Sequence, residues 1–167
     1  QKSMGYVREH LFLTDSSVAE NIAFAVPRDE IDMEAVRNAA KIAQIDDFVM
    51  NELPYGYDTV VGERGIRLSG GQRQRIGIAR ALYRNPDVIV FDEATSALDN
   101  STERAVMEAM RSLLGRKTIL MVAHRITTLA DCDTIYMLRE GRIVSQGTYE
   151  ELVAGRGAFV EILSSNV

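Results

Sequence analysis

Tryptophan is absent from this chain, cysteine occurs once, and lysine occurs only at Lys2, Lys41 and Lys117. Each scarcity excludes something. A single cysteine, Cys132, rules out an internal disulfide framework and suits a reducing compartment. It lies between Asp131 and Asp133, whose charges raise a thiol pKa, so it is a poor nucleophile. One cysteine and two histidines give no zinc-ligand spacing. Purely apolar runs stop at about five residues, far short of a membrane span, and no leader peptide is visible at the N-terminus. The net charge of −5 removes the basic surface that a general nucleic-acid binder needs. No Gly-Lys pair occurs anywhere, which excludes the phosphate loop Gly-x-x-x-x-Gly-Lys-Ser/Thr. Internal repeats and low-complexity stretches are also lacking.

What remains is a chain of 167 residues, 46% hydrophobic and 26% charged, enough for one globular domain with a sizeable core. It is organised around residues 68–99. Ser69-Gly70-Gly71 offers a hydroxyl and two unencumbered N–H groups where a helix begins, which is a ready anion site. The helix runs through Arg84 and stops before Pro86. Val88-Ile89-Val90-Phe91 then has the length and continuous apolarity of a strand covered on both faces. It delivers Asp92 and Glu93 to its C-terminal end, where open parallel sheets place their ligands.

These residues carry a resemblance. Leu68-Ser69-Gly70-Gly71-Gln72 matches the signature motif of ABC-type ATPases, and Val88–Asp92 followed by Glu93 looks like their Walker B strand with its catalytic glutamate. Ser96-Ala97-Leu98-Asp99 resembles the D-loop, and His124, ending the apolar strand 118–123, falls where the family has its switch histidine. Thr59–Gly65 resembles a short loop of exporter-type nucleotide-binding domains that in relatives meets the membrane domain. The order and spacing of the motifs extend the resemblance over essentially the whole chain.

The resemblance implies an α/β fold: a partial P-loop NTPase (RecA-like) core with an all-helical ABC signature subdomain. Residues 1–13 would be a remnant core strand and Q-loop, 14–85 the helical subdomain, 86–152 the core, and 153–167 a tail helix. It implies ATP and Mg²⁺ as cofactors. Asp92 would hold Mg²⁺ through water, Glu93 would polarise the attacking water, and His124 would hydrogen-bond the γ-phosphate. Ser69, Gly70, Gly71 and Gln72 would face the ATP of a partner subunit, with Asp99 communicating between the two sites. Glu9 stands where the family has the Q-loop glutamine, and Arg8 where it has proline; glutamate keeps the oxygens that reach a metal but loses the amide donor.

The implied partners are a transmembrane domain and a second nucleotide-binding domain, with no nucleic acid, at the cytoplasmic face of the inner membrane. The expected function is that of an ABC exporter subunit portion, coupling ATP hydrolysis to transport and inactive alone. Ala19–Phe24 with Pro27 looks most like bacterial lipid or lipid-linked glycan flippases. The alternatives are a non-transporting ABC ATPase of DNA repair or chromosome maintenance, and a degenerate regulatory module.

Elsewhere the pattern predicts helices opening at Asp15–Ser17 and over Asp32–Val49, and a helix capped by Asn100 or Ser101 with an apolar stripe through Val106, Met110, Leu113 and Leu114. It also predicts a hairpin over Asp133–Gly147 and a capping box at Thr148-Tyr149-Glu150-Glu151. The arginines Arg73, Arg75, Arg80 and Arg84 read as a solvated, salt-bridged helix face.

Overall fold

The computed structural model describes residues 4–8, 11–92, 100–122, 129–155 and 159. Glu9, Glu93, the run 96–99 with Asp99, His124 and the tail beyond Phe159 lie outside the described residues. Contacts divide the chain into two units, 1–122 and 123–167.

In the first unit the chain forms β1 (Met4–Val7), β2 (Ser16–Ser17), α1 (Val18–Ile22), α2 (Met33–Ile42) and α3 (Asp46–Glu52). It continues through β3 (Val60–Val61), α4 (Gly70–Leu82), β4 (Val88–Asp92), α5 (Asn100–Arg111) and β5 (Thr118–Val122). The sheet is parallel, in the order β1-β4-β5. The apolar run of β4 takes the middle place, and Ile89, Val90 and Phe91 are buried there. Gly5 of β1 faces α4 so closely that a Cβ would lie 2.6 Å from the Ala81 carbonyl oxygen. The glycine therefore sets the distance between sheet and helix.

The same core continues into helices α1 to α4, which add Ile22, Val36, Ala40, Ile45, Val49, Ile76 and Ile78. Ser17 caps α1 with a capping box to Glu20, and Asp32 caps α2 by accepting from the N–H groups of Glu34 and Ala35. The segment expected to be all-helical also contains a two-residue antiparallel ladder, Ser16–Ser17 on Val60–Val61. The ladder gives the buried backbone at both ends of the lobe its partners, and Val18 N–H donates to the Thr59 carbonyl beside it.

The single helix expected over Asp32–Val49 is two. Gln44 is left-handed at φ 57°, its N–H donates to Lys41 and that of Ile45 to Ala40. This is a Schellman ending with glutamine in the glycine's place, and it buries Ala43 and Ile45 completely. Helix α5 contains Asn100 and Ser101 rather than being capped by them. It ends at Arg111, and the chain then turns through left-handed Gly115 (φ 73°). Val106, Met110 and Leu113 are buried as expected, but the turn leaves Leu114 exposed.

The second unit holds β6 (Ile135–Arg139), β7 (Arg142–Gly147) and α6 (Tyr149–Ala154). The hairpin turn has positive φ at Glu140 and Gly141, the pair that matches strand twist. The Thr148–Glu151 capping box forms as predicted. Ile135, Leu152 and Phe159 make a small core with Leu129, Cys132, Met137 and Tyr149 packed around it. Cys132 has its thiol pKa raised, first by burial and then by Asp131 and Asp133.

Candidate functional site

Helix α4 begins as the sequence predicts. Ser69 Oγ accepts from Gln72 N–H at 3.2 Å, and Gln72 Oε1 accepts from Ser69 N–H at 2.8 Å. The side chains of the motif thus fix the turn, while the first helical N–H groups have no intrahelical partner. Ser69 and Gly70 are exposed, and nothing lies within 4 Å of where a Gly70 Cβ would stand. Leu68 is buried beneath them, and Arg73 Nη1 donates to its carbonyl at 2.6 Å. The turn is capped and open to solvent at Ser69 and Gly70.

The arginines of α4 differ from their expected role. Arg73 donates to Leu68 O, Arg75 to Gln44 O, and Arg80 to Asn21 O and Phe12 O. They tie main-chain carbonyls of α1 and of neighbouring loops to the helix rather than forming a merely solvated face. Burial lowers the pKa of Arg80.

Asp92 ends β4 at the C-terminal edge of the sheet, half-buried and in register with Val122. Tyr6 lies on β1 opposite Val90, two residues before Asp92 and on the same face. Its hydroxyl donates to Asp92 Oδ2 at 2.5 Å. That hydrogen bond raises the Tyr6 pKa, with slight desolvation and the carboxylate's charge adding to it. The donor set fits a hard divalent cation: a carboxylate with one oxygen oriented by a phenol, at a sheet edge open to water and phosphate oxygens. Among the described residues there is no cluster of three or more His, Cys, Asp or Glu that would hold a metal without further ligands.

The loop Thr59–Gly65 exposes Glu63 and Arg64. Asp15 holds it, accepting from Arg64 N–H at 3.0 Å and pairing with the Arg64 guanidinium at 3.6 Å. Gly62, at φ 114°, leaves room for that carboxylate, which a Cβ would strike.

The described site therefore joins Asp92 to Tyr6, and places Ser69 to Gln72 at one helix start, with Ser69 and Gly70 exposed and Gly71 buried. The sequence assigns no site role to Tyr6 or Gln74, and it reads Asp15 as a cap candidate and Arg80 as surface charge. Gln74 left a signal. It interrupts the buried stripe Gly71, Ile78 and Leu82 of α4 and is itself buried, donating to the Arg8 carbonyl at 3.1 Å. Among the described residues, no helix is long and apolar enough to cross a membrane.

A family model described as ABC transporter matches residues 1–96, more than half of the chain. The chain is 48% identical over 153 residues to the "ABC transporter ATM1" of Toxoplasma gondii, covering 92% of this chain and 13% of that protein. It is 44% identical over 162 residues to the "ATP-dependent lipid A-core flippase" of Methylococcus capsulatus, covering 97% of this chain and 27% of that one. The fold matches the structure of a bacterial Atm1-family ABC exporter with ATP bound at a TM-score of 0.86 and 42% identity, over 99% of this chain and 29% of that chain. In each case the chain spans less than a third of the protein it matches.

Proposed function

The chain belongs to the ABC transporter family, and from that premise we propose that it is the signature-bearing and Walker B part of an exporter's nucleotide-binding domain. Its fold is that of such a domain, with mixed helix and strand. Within it we assign 14–85 to the signature subdomain, 1–13 and 86–152 to the RecA-like core, and 153–167 to a tail. The full protein couples ATP hydrolysis to transport, held at the cytoplasmic face of the membrane by a transmembrane domain.

The observation that carries this reading is the pairing of two features in one chain: an open, capped helix start at Ser69-Gly70-Gly71 and a carboxylate at the end of the central strand. Phosphoryl transfer to water is mostly positioning and electrostatics. Asp92, oriented by Tyr6, would hold Mg²⁺, which would neutralise charge on the phosphates. Glu93, the next residue, orients the attacking water and draws its proton. His124 donates to the terminal phosphate. The hydroxyl of Ser69 and the N–H groups of Gly70 and Gly71 donate to the terminal phosphate of a nucleotide held by a second domain, with Gln72 bracing the turn through the Ser69 N–H and Asp99 linking the two sites. Glu9 offers oxygens in the Q-loop position.

The lysine and glycines that cradle the β- and γ-phosphates are missing from these 167 residues. They must come from elsewhere in the full protein. The stretch Ala19–Phe24 with Pro27 supports a lipid or lipid-linked glycan cargo, which adding that lipid to the ATPase assay tests by stimulation.

The main test is phosphate release by the full-length protein and its Glu93→Gln variant, beside the 167-residue chain. Loss of a positioned general base lowers turnover about 10²–10⁴-fold, and the short chain shows none. An inactive full-length protein would favour a regulatory module. Turnover by the short chain that vanishes in Glu93→Gln would reveal a phosphate cradle within it.

A further inference from the structure

The loop Thr59–Gly65 is closed at its base by main chain. Val60–Val61 pairs with Ser16–Ser17, and Val18 N–H donates to the Thr59 carbonyl at 3.0 Å. Thr59 is itself buried, its Oγ1 accepting from Tyr55 N–H at 3.0 Å. On the far side Ile66 N–H donates to the Val60 carbonyl at 3.0 Å. A Cβ on Gly65 would stand 2.4 Å from that oxygen, so only glycine lets the chain close so tightly. Gly62, Glu63 and Arg64 form the tip beyond these ties, with Glu63 and Arg64 exposed.

Asp15 supplies what the base does not. Its Oδ1 accepts from Arg64 N–H at 3.0 Å, and its Oδ2 lies 3.6 Å from Arg64 Nε. One carboxylate thus holds the main chain and the side chain of the same residue. It fills the space of the missing Gly62 side chain, since a Cβ there would stand 2.4 Å from Asp15 Oδ1. The Arg64 side chain is 89% exposed, where an ion pair contributes little, so the bond to the N–H carries the hold.

The carboxylate is aimed by a buried amide. Ser16 N–H donates to the Thr14 carbonyl at 2.8 Å, which turns the chain at Asp15. Asn21, fully buried, fastens both sides of that turn. Its Oδ1 accepts from Thr14 N–H at 3.0 Å, and its Nδ2 donates to the carbonyls of Thr14, Ser16 and Ser17 at 3.0, 3.3 and 3.1 Å.

We propose that Asp15 is a positioning residue of the Thr59–Gly65 loop. It holds the tip in one conformation before any partner arrives, so that docking need not order a segment with two glycines. Asp15 lies outside the residues assigned to the nucleotide and acts only through Arg64. That the loop meets a transmembrane domain rests on the function proposed above; the positioning itself does not.

Amide hydrogen exchange, resolved by residue on the 167-residue chain, tests the hold directly. Asp15→Ala removes both contacts. Asp15→Asn keeps an acceptor for the N–H, and Arg64→Gln keeps the N–H and loses the guanidinium. Asp15→Ala should lower protection at Arg64 roughly tenfold, as expected when a local opening loses its restraining hydrogen bond. Asp15→Asn and Arg64→Gln should each change protection at residue 64 by less than about threefold. Unchanged protection in Asp15→Ala would overturn the proposal. So would equal losses in Asp15→Ala and Asp15→Asn, or a loss shared by Ile22, Val36 and Ile76, which reports global stability. In the full-length protein in lipid vesicles, Asp15→Ala should lower kcat for ATP hydrolysis roughly threefold with KM unchanged, and Asp15→Asn should recover most of it. A change confined to KM would place Asp15 at the nucleotide and overturn the positioning. A full-length protein that hydrolyses no ATP fails the proposed function, while the exchange result still decides the hold at Arg64.

Discussion

In the lobe of α1 to α4, Ile22, Val36, Ile45, Val49, Ile76 and Ile78 are fully buried. On β5 and the β6–β7 hairpin, Leu120, Val122, Tyr136, Leu138, Ile143 and Val144 are 48–67% exposed. The lobe encloses its own apolar stripes, so its helices are held by tertiary packing as well as by their caps. β5 alternates half-buried with exposed residues, and β7 leaves Ile143 and Val144 exposed on both of its faces. Among the described residues β5 pairs with β4 alone, which leaves one of its edges without a ladder. Apolar strand faces and open edges of this kind mark surfaces that other protein covers. One chain therefore combines helices whose apolar stripes are enclosed with strands whose apolar side chains stay exposed.

The sharpest way to break that comparison is truncation on each side of it. Ile76→Ala should cost about 2–5 kcal/mol, as expected for a buried isoleucine whose site cannot fully collapse. Leu138→Ala, on the exposed hairpin face, should stay within about 0.5 kcal/mol. Urea unfolding of the two variants reads both values, and equal losses would mean that the hairpin face is covered in solution.

A smaller effect tests how well the lobe is built. Gln44 holds a conformation that glycine adopts without cost, and what Arg75 contacts there is its main-chain carbonyl. Gln44→Gly should therefore stabilise the chain by about 0.5–1 kcal/mol, the relief of left-handed strain less the extra unfolded-state freedom of glycine. A loss in the same urea experiment would show that the glutamine side chain contributes more than its backbone strain costs.

The smallest effect depends on pH. Ser17 Oγ and N–H both donate to Glu20 Oε2, at 2.6 and 2.9 Å, and hold that carboxyl below the usual glutamate range. A lowered folded pKa means that the contribution is complete above the unfolded value of about 4.3 and fades as pH falls through the folded one. Ser17→Ala should flatten stability against pH in that acid window, by less than about 1 kcal/mol because the Glu20 carboxyl is largely solvated. An unchanged slope would assign the acid sensitivity of the lobe to other carboxylates.

Much of this was legible in the residues, and the reasons are local. Ser69 with Gln72, Ser17 with Glu20, and Thr148 with Glu151 are turns that sequence specifies within four positions. The Glu140-Gly141 turn and the apolar run of β4 are equally short-range. What escaped depends on distant partners. The break at Gln44 has no glycine to announce it; burial of Ile45 and the reach of Arg75 impose it. A two-residue ladder such as Ser16–Ser17 on Val60–Val61 has no periodicity to detect. Tyr6 became part of the Asp92 site only through strand register. Arg80 read as surface charge until the fold brought Asn21 and Phe12 to it. The motifs are short-range, and the contacts that support them come from chain far away in sequence.

The contact between Tyr6 and Asp92 has an optical consequence. With six tyrosines and no tryptophan, the chain's near-ultraviolet emission is tyrosine emission alone. A phenol that donates to a carboxylate is quenched, since the acceptor draws its proton in the excited state. Tyr6 is therefore dark while it holds Asp92 Oδ2 and brightens when that oxygen is drawn away. Emission recorded as Mg²⁺ is added, with Tyr6→Phe as the blank, reads the state of Asp92 without any attached dye. A brightening equal in the blank would trace the signal to another tyrosine.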